Sequence, residues 1–320
     1  MTGSPPAIGG DWGLRPALDI GGTHVSAALV DLAVDPVLVE ARSDKTLDAG
    51  APADVILDRI AGCASTIGST SGMIWGVAIP GPFDYAAGIA RFHGVAKFES
   101  LDGVDMRAGL MERICPTPAD VRFLNDADAF GLGEWRAGAA SGHERAVVIT
   151  LGTGIGSAFL AGGCVIDDDP SVPPEGRLDL LAIDTRPLED TVSRRAILTR
   201  YATLTDNVRA DIDVRDLAER ARAGDPVARE VFDGSMRALG EALAPWLSAF
   251  HATALVVGGA IAGSWDIIER PLADSLTNAD PDLVTRLEVL PSRRPNDAAL
   301  IGAALHSAKD ARPCVPDGSS

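Results

Sequence analysis

ALDIGGTHVSAALVDL, residues 17–32, and RAVVITLGTGIGSAFLAGG, residues 145–163, are two copies of one local pattern. In each, an apolar run meets a glycine turn and a second apolar run follows. The turns are Gly21-Gly22-Thr23 and Gly152-Thr153-Gly154. Glycine admits positive φ and a tight reversal, so each copy predicts a β-hairpin. The copies stand far apart in the chain, which predicts two related halves.

Outward from these hairpins, helical and strand patterns alternate. Residues 52–67 carry helical apolar spacing at Val55, Ile56, Ile60 and Cys63. Residues 73–79 read as a buried strand ending at Pro80-Gly81-Pro82, and 121–124 as a short strand entering Asn125-Asp126. A helix is predicted over 128–137, and a long one over 226–250 with an interruption at Pro245-Trp246. A strand over 255–257 runs into Gly258-Gly259, and a small-residue helix covers 297–308. This alternation predicts an α/β fold with covered sheets.

The chain has 320 residues, about two domains at roughly 150 each. Hydrophobic residues make up 46% but aromatics only 5%, so the cores must be built from Ala, Val, Leu and Ile. The formal net charge of -17 argues against nucleic acid or an anionic membrane as a partner. No apolar run reaches the roughly 20 residues of a membrane span, and the N-terminus has no signal-peptide pattern. Cys63, Cys115, Cys164 and Cys314 lack metal-type spacing and read as reduced thiols of a cytoplasmic protein. Residues 1–15 and 310–320 are expected to be disordered.

Four constellations carry chemistry. At Asp19, Gly21, Gly22 and Thr23, backbone amides can approach an anion closely, and Asp19 can hold Mg²⁺ through water. Gly152, Thr153, Gly154 and Gly156 offer the same chemistry from the other half. Either motif alone is equally a plain hairpin turn; together they point to a polyphosphate such as that of ATP. Asn125-Asp126-Ala127-Asp128 offers a carboxylate that can accept a hydroxyl proton, or a helix N-cap, or both. Gly258-Gly259 at a strand end can lie against an adenine or ribose, or be a simple strand-to-helix turn.

These segments resemble the ROK family of sugar kinases, in the hexokinase/actin superfamily, over about residues 16–305. LDIGGTHVSAALVD resembles the family's first phosphate loop and TLGTGIGSAFL the second. FLNDADAFGLGEW resembles its catalytic stretch, and LVVGGAIAG its adenosine loop. The resemblance implies a two-lobed actin-like ATPase (ribonuclease H-like) fold with the active-site cleft between the lobes. It implies a small lobe of residues 16–124 plus 296–309 and a large lobe of residues 125–295. Asp126 would be the general base and Asp19 the Mg²⁺ residue. Gly21, Gly22, Thr23, Gly152, Thr153 and Gly154 would surround the phosphates of ATP, and Gly258 and Gly259 would meet the adenosine. Asn125 and Glu189 would bind the sugar, with Glu175 matching a further sugar-facing Glu. Members are often homodimers.

Two departures bear on the substrate. Many members hold a structural zinc with one His and three Cys between the second phosphate loop and the sugar-binding Glu. Here the interval from Cys164 to Glu189 holds no His and no further Cys, so no zinc site is expected. The loop FDYAAGIARFHGVAKFESLDGVDM, residues 83–106, replaces an Asn-Leu-x-Gly-Trp stretch, which makes His93, Lys97 and Glu99 substrate-facing candidates. The expected activity is ATP-dependent phosphorylation of a sugar or a sugar-like cyclitol, with polyphosphate as an alternative donor. A sugar-sensing regulator and an inactive sugar-binding protein are the alternatives. The regulator would need a DNA-binding module, for which the short stretch before Ala17 shows no pattern.

Overall fold

The structure, a computed structural model, describes residues 13–95, 97–183, 185–205 and 212–308. The expected disordered ends otherwise fall outside them. At the N-terminal side Leu14 and Arg15 already belong to a strand, because they pair with Asp31 and Val30. The described chain forms two units: residues up to Gly138 with those from Asn296 on, and residues 139–295.

The first unit opens with β1 (Leu14–Ile20), β2 (His24–Asp31) and β3 (Leu38–Thr46). α1 (Ala53–Ala64) and β4 (Ile74–Ile79) follow, then the small pair β5 (Phe83–Asp84) and β6 (Ile89–Ala90). α2 (Met106–Arg113), β7 (Asp120–Asn125) and α3 (Asp126–Ala137) continue the chain. The main sheet has the order β3-β2-β1-β4-β7. The first copy is the predicted hairpin, with β1 antiparallel to β2 from Leu14↔Asp31 to Ile20↔Val25. β1, β4 and β7 run parallel, Asp19 beside Ala78 and Ile79 beside Asn125, so their carboxyl ends lie side by side. β4 is buried almost throughout, as a strand covered on both faces must be, whereas β3 alternates exposed and half-buried residues at the sheet edge.

The helix Ala298–Ala308 completes this unit by packing on β4 and α3. A Cβ on Gly302 would overlap the carbonyl of Ala129, and one on Gly133 would overlap that of Ala298, so the two helices touch backbone to backbone. This contact draws α3 into the first unit. The boundary therefore falls after Gly138, not near residue 124, a correction that strand-and-helix alternation alone does not reveal.

The second unit repeats the plan. β8 (Arg145–Leu151), β9 (Ile155–Ala161) and β10 (Cys164–Val165) precede the ribbon β11 (Ala182–Ile183) with β12 (Arg186–Pro187). α4 (Glu189–Val192), α5 (Arg194–Thr205), α6 (Val214–Arg222) and α7 (Pro226–Ala249) follow. β13 (Ala254–Gly258), α8 (Trp265–Ala279) and β14 (Glu288–Pro291) close the unit, and α9 is the helix Ala298–Ala308 of the first. The order β10-β9-β8-β13-β14 matches that of the first sheet strand for strand, two antiparallel pairs and then two parallel ones. The inferred duplication is thus visible in the topology.

α7 begins with Pro226 at its first position, capped by the Asp225 carboxylate, which accepts from the N–H groups of Val227 and Ala228 at 2.9 and 3.1 Å. It runs through Pro245 without the predicted interruption. Pro245 and Glu241, whose carbonyl loses its partner, both lie on the exposed face, where water can serve that carbonyl. Cys63 is free and buried and Cys115 free and exposed, but Cys164 is disulfide-bonded, which corrects the expectation of a reduced thiol there. Among the described residues no helix is long and apolar enough to cross a membrane.

Candidate active site

The carboxyl ends of β1, β4 and β7 gather the chemistry of the first unit. In open sheets that edge is where ligands bind. Asp19 stands at the end of β1, and the Gly21-Gly22-Thr23 turn follows it directly. The turn is closed by Gly21 N–H donating to the His24 carbonyl at 2.9 Å, with the His24 ring folded over Gly21. His24 opens β2. At the end of β7, Asn125 caps α3: its Oδ1 accepts from Ala127 N–H at 2.9 Å and Asp128 N–H at 3.4 Å. α3 starts two residues earlier than expected, so Asp126 lies in its first turn. There Asp126 accepts from Ala127 N–H at 2.9 Å. The cap and the candidate base are thus neighbouring residues, and the cap is the amide.

The electrostatics of this corner are unusual. Burial pushes the Asp19 carboxyl up to about 6, and the Asp126 charge adds to the rise. His24 and Arg42 pull it down, while Asp44 raises it. Asp126 is itself raised by burial, against backbone N–H donors and the Lys97 charge, which lower it. A helix N-terminus also favours its ionised form. Among the described residues no hydrogen bond reaches the Asp19 carboxylate. Asp19, Ser26 and Asp44 form a row across β1, β2 and β3. Ser26 Oγ donates to Asp44 at 2.6 Å, and Arg42 forks onto Asp44 at 2.9 to 3.1 Å, holding the Asp44 carboxyl below the usual range.

The second unit places its glycine turn at the matching edge. Gly152 N–H donates to the Gly154 carbonyl at 3.0 Å, and Thr153 at the tip is exposed. The α4–α5 junction braces this turn: Arg194 N–H donates to the Gly152 carbonyl at 2.8 Å, and Ile155 N–H donates to Glu189 Oε2 at 3.4 Å. A Cβ at Gly154 would lie 2.5 Å from that oxygen. Gly258 pairs with Thr150, so Gly258-Gly259 emerges beside the turn. Gly259, at φ 83, packs on the Leu151 backbone. Glu175 sits at φ 59 with its side chain exposed and 3.6 Å from Arg177. Ser157 fixes its segment by donating to the Gly176 carbonyl at 2.7 Å and accepting from Leu178 N–H at 3.0 Å.

The expected acceptor residues are therefore divided, Asn125, Asp126, His93 and Lys97 in the first unit and Glu175 and Glu189 in the second. His93 is 94% exposed, 3.8 Å from Asp102. Lys97 lies against Gly22. Tyr85 is a residue that sequence reasoning passed over. Its hydroxyl accepts from Asn125 Nδ2 at 3.1 Å and donates to the Ile79 carbonyl at 3.3 Å, tying together the ends of β4 and β7. The only signal is an aromatic hydroxyl shortly after the Pro80-Gly81-Pro82 strand end. No group of three or more His, Cys, Asp or Glu able to hold a metal occurs among the described residues.

Two duplicated units of this topology, each carrying a glycine turn at the carboxyl edge of its sheet, define the actin-like ATPase fold. The ROK family's sequence model matches residues 15–168 and 185–309, and the chain belongs to that family. It is 28% identical over 310 residues to a glucokinase of Thermotoga maritima, covering 90% of this chain and 95% of that one. A ROK hexokinase structure from Thermus thermophilus superposes with a TM-score of 0.72 at 26% identity, covering 92% and 97% of the two chains. A ROK glucokinase from Streptomyces griseus, in complex with glucose and AMPPNP, gives 0.72 at 26% identity, covering 92% and 99%.

Proposed function

We propose that this chain transfers the γ-phosphoryl group of ATP to a hydroxyl of a sugar or a sugar-like cyclitol, in the cytoplasm where ATP is supplied. The observation that carries the reading is the gathering of Asp19, Asp126 and the Gly21-Gly22 turn at one sheet edge of the first unit. Asp126 takes the hydroxyl proton while the acceptor oxygen bonds to phosphorus and the bond to the ADP oxygen breaks. Amides of Gly21, Gly22 and Thr23, and of Gly152, Thr153 and Gly154, hold phosphate oxygens. Gly258 and Gly259 lie against the adenosine.

The residues fit a magnesium ion. Two carboxylates whose ionisation is opposed by burial, with the Asp126 charge also opposing that of Asp19, gain from a divalent charge. Mg²⁺ needs few protein ligands, since waters and phosphates complete its shell. Asp19 would hold it, through water. When bound, the ion supplies charge neutralisation on the phosphates. Asn125 and Glu189 orient the acceptor, with Glu175 and His93 as further contacts. The amide of Asn125 keeps one N–H free of Tyr85 for that purpose.

The test is ADP release with hexoses, amino sugars and cyclitols, glucose first, using ATP and polyphosphate as donors in separate arms. Asp126→Asn should lower kcat about 1,000-fold with an unchanged circular dichroism spectrum. Turnover by the Asn variant within tenfold of wild type, or no ADP from wild type on any acceptor, would sink the proposal.

A further inference from the structure

The loop after β6 brings a cation to the centre of the first unit's site. A Cβ built on Gly22 would lie 3.1 Å from Lys97 Cδ, 3.4 Å from Cε and 3.7 Å from Nζ. The lysine stem therefore lies across the glycine turn that begins at the end of β1. Its charge also reaches the Asp126 carboxylate at the end of β7. Among the described residues no acidic side chain forms an ion pair with Lys97, so its ammonium is uncommitted.

The loop is built to hold this pose. The next residue, Phe98, is fully buried at φ 60, a backbone region that a bulky side chain rarely adopts. Its ring packs 5.3 Å from that of Phe92, and its N–H donates to the Ala49 carbonyl at 3.0 Å. Strain of this kind persists where the surroundings over-determine the backbone, and it gathers at functional sites. Its consequence here is the direction in which Lys97 leaves the chain.

We propose that Lys97 is a catalytic residue whose ammonium contacts the phosphoryl group in flight between ATP and the acceptor. The proposal rests on the kinase reading above. In that step the acceptor oxygen forms its bond to the γ-phosphorus, the bond to the β-phosphate oxygen breaks, ADP leaves, and the hydroxyl proton passes to Asp126. Negative charge spreads over the three oxygens of the phosphoryl group as it moves. A compact ammonium between the phosphate turn and the base meets that charge where it develops. In a chain with a net charge of -17, a local cation at this point also offsets repulsion of the nucleotide. The same charge helps keep Asp126 ionised and ready to accept the proton.

The experiment compares the full-length chain with Lys97→Met and Lys97→Arg. For Lys97→Met, kcat should fall about 100-fold while the acceptor KM stays within about threefold, and Lys97→Arg should recover part of the loss. Calorimetry with ADP and aluminium fluoride, which mimics the phosphoryl group in transit, should show a comparable loss of affinity. ADP alone should bind the variant as it binds wild type. An unchanged kcat with a raised acceptor KM would assign Lys97 to acceptor recognition and overturn the proposal. Equal losses for ADP alone and for the fluoride complex would overturn it in favour of a ground-state phosphate clamp. Asp126→Asn run in parallel separates the two readings. If that variant keeps turnover, the base assignment fails while the Lys97 result stands. If wild type neither forms ADP nor binds it, both fall.

Discussion

Replacing Asp19 by Asn should make the free protein more stable and the enzyme useless. The Asp19 carboxyl titrates at about 6 in the folded chain against 3.8 unperturbed. The folded state thus holds this proton more tightly than the unfolded state does. Stability is lost as pH rises through that window, and the cost is complete above about pH 7. A shift of this size corresponds to about 3 kcal/mol, taken as about 2 kcal/mol because the Asp19 side chain is half-buried rather than sealed from water. Asparagine has nearly the same shape and no charge, and among the described residues no hydrogen bond to the carboxylate is lost. Asp19→Asn should therefore raise the first unit's melting temperature by about 4–8 °C at pH 8 and by almost nothing at pH 4. Adding ATP with magnesium should stabilise wild type and leave the variant nearly unmoved. Thermal melts at the two pH values, with and without nucleotide, measure all four quantities. An Asn variant that melts lower than wild type at pH 8, or a gain that persists at pH 4, would refute the account.

Tyr85→Phe removes the hydroxyl that joins Asn125 Nδ2 to the Ile79 carbonyl. It should cost about 1 kcal/mol in urea unfolding and raise the acceptor KM several-fold with kcat little changed. Gly302→Val drives a side chain into the Ala129 carbonyl, so it should destabilise the first unit by about 3 kcal/mol or more, read as a lower urea midpoint. Asp225→Ala removes both the cap of α7 and the acceptor of the Tyr201 hydroxyl at 2.8 Å. A loss of about 2 kcal/mol from the second unit is expected in the same assay.

The hairpins are legible in the sequence because apolar runs and glycine turns are local signals, and each copy reinforces the other. β13 and α9 are legible for the same reason. The start of α3 is not, because Asn125, Asp126 and Asp128 are all favoured caps and only the folded geometry selects among them. Pro245 misleads because its effect depends on which face of α7 it occupies. Tyr85 is invisible because its hydroxyl meets Asn125 only after two strands have paired. Glu189 is singled out only by resemblance, and its bond to Ile155 N–H, which braces the second turn, depends on the packing of α4.

The return of α9 to the first unit sets an order on synthesis. Residues 139–295 form an uninterrupted segment and can reach their final arrangement without the last helix. The first unit cannot, because the seats for α9 on Gly76 and Gly133 stay bare until residues 298–308 have left the exit tunnel. A nascent chain stalled before that point would carry a finished second unit beside an unclosed first one. It would present a strip of glycine and alanine backbone as the surface a chaperone could hold.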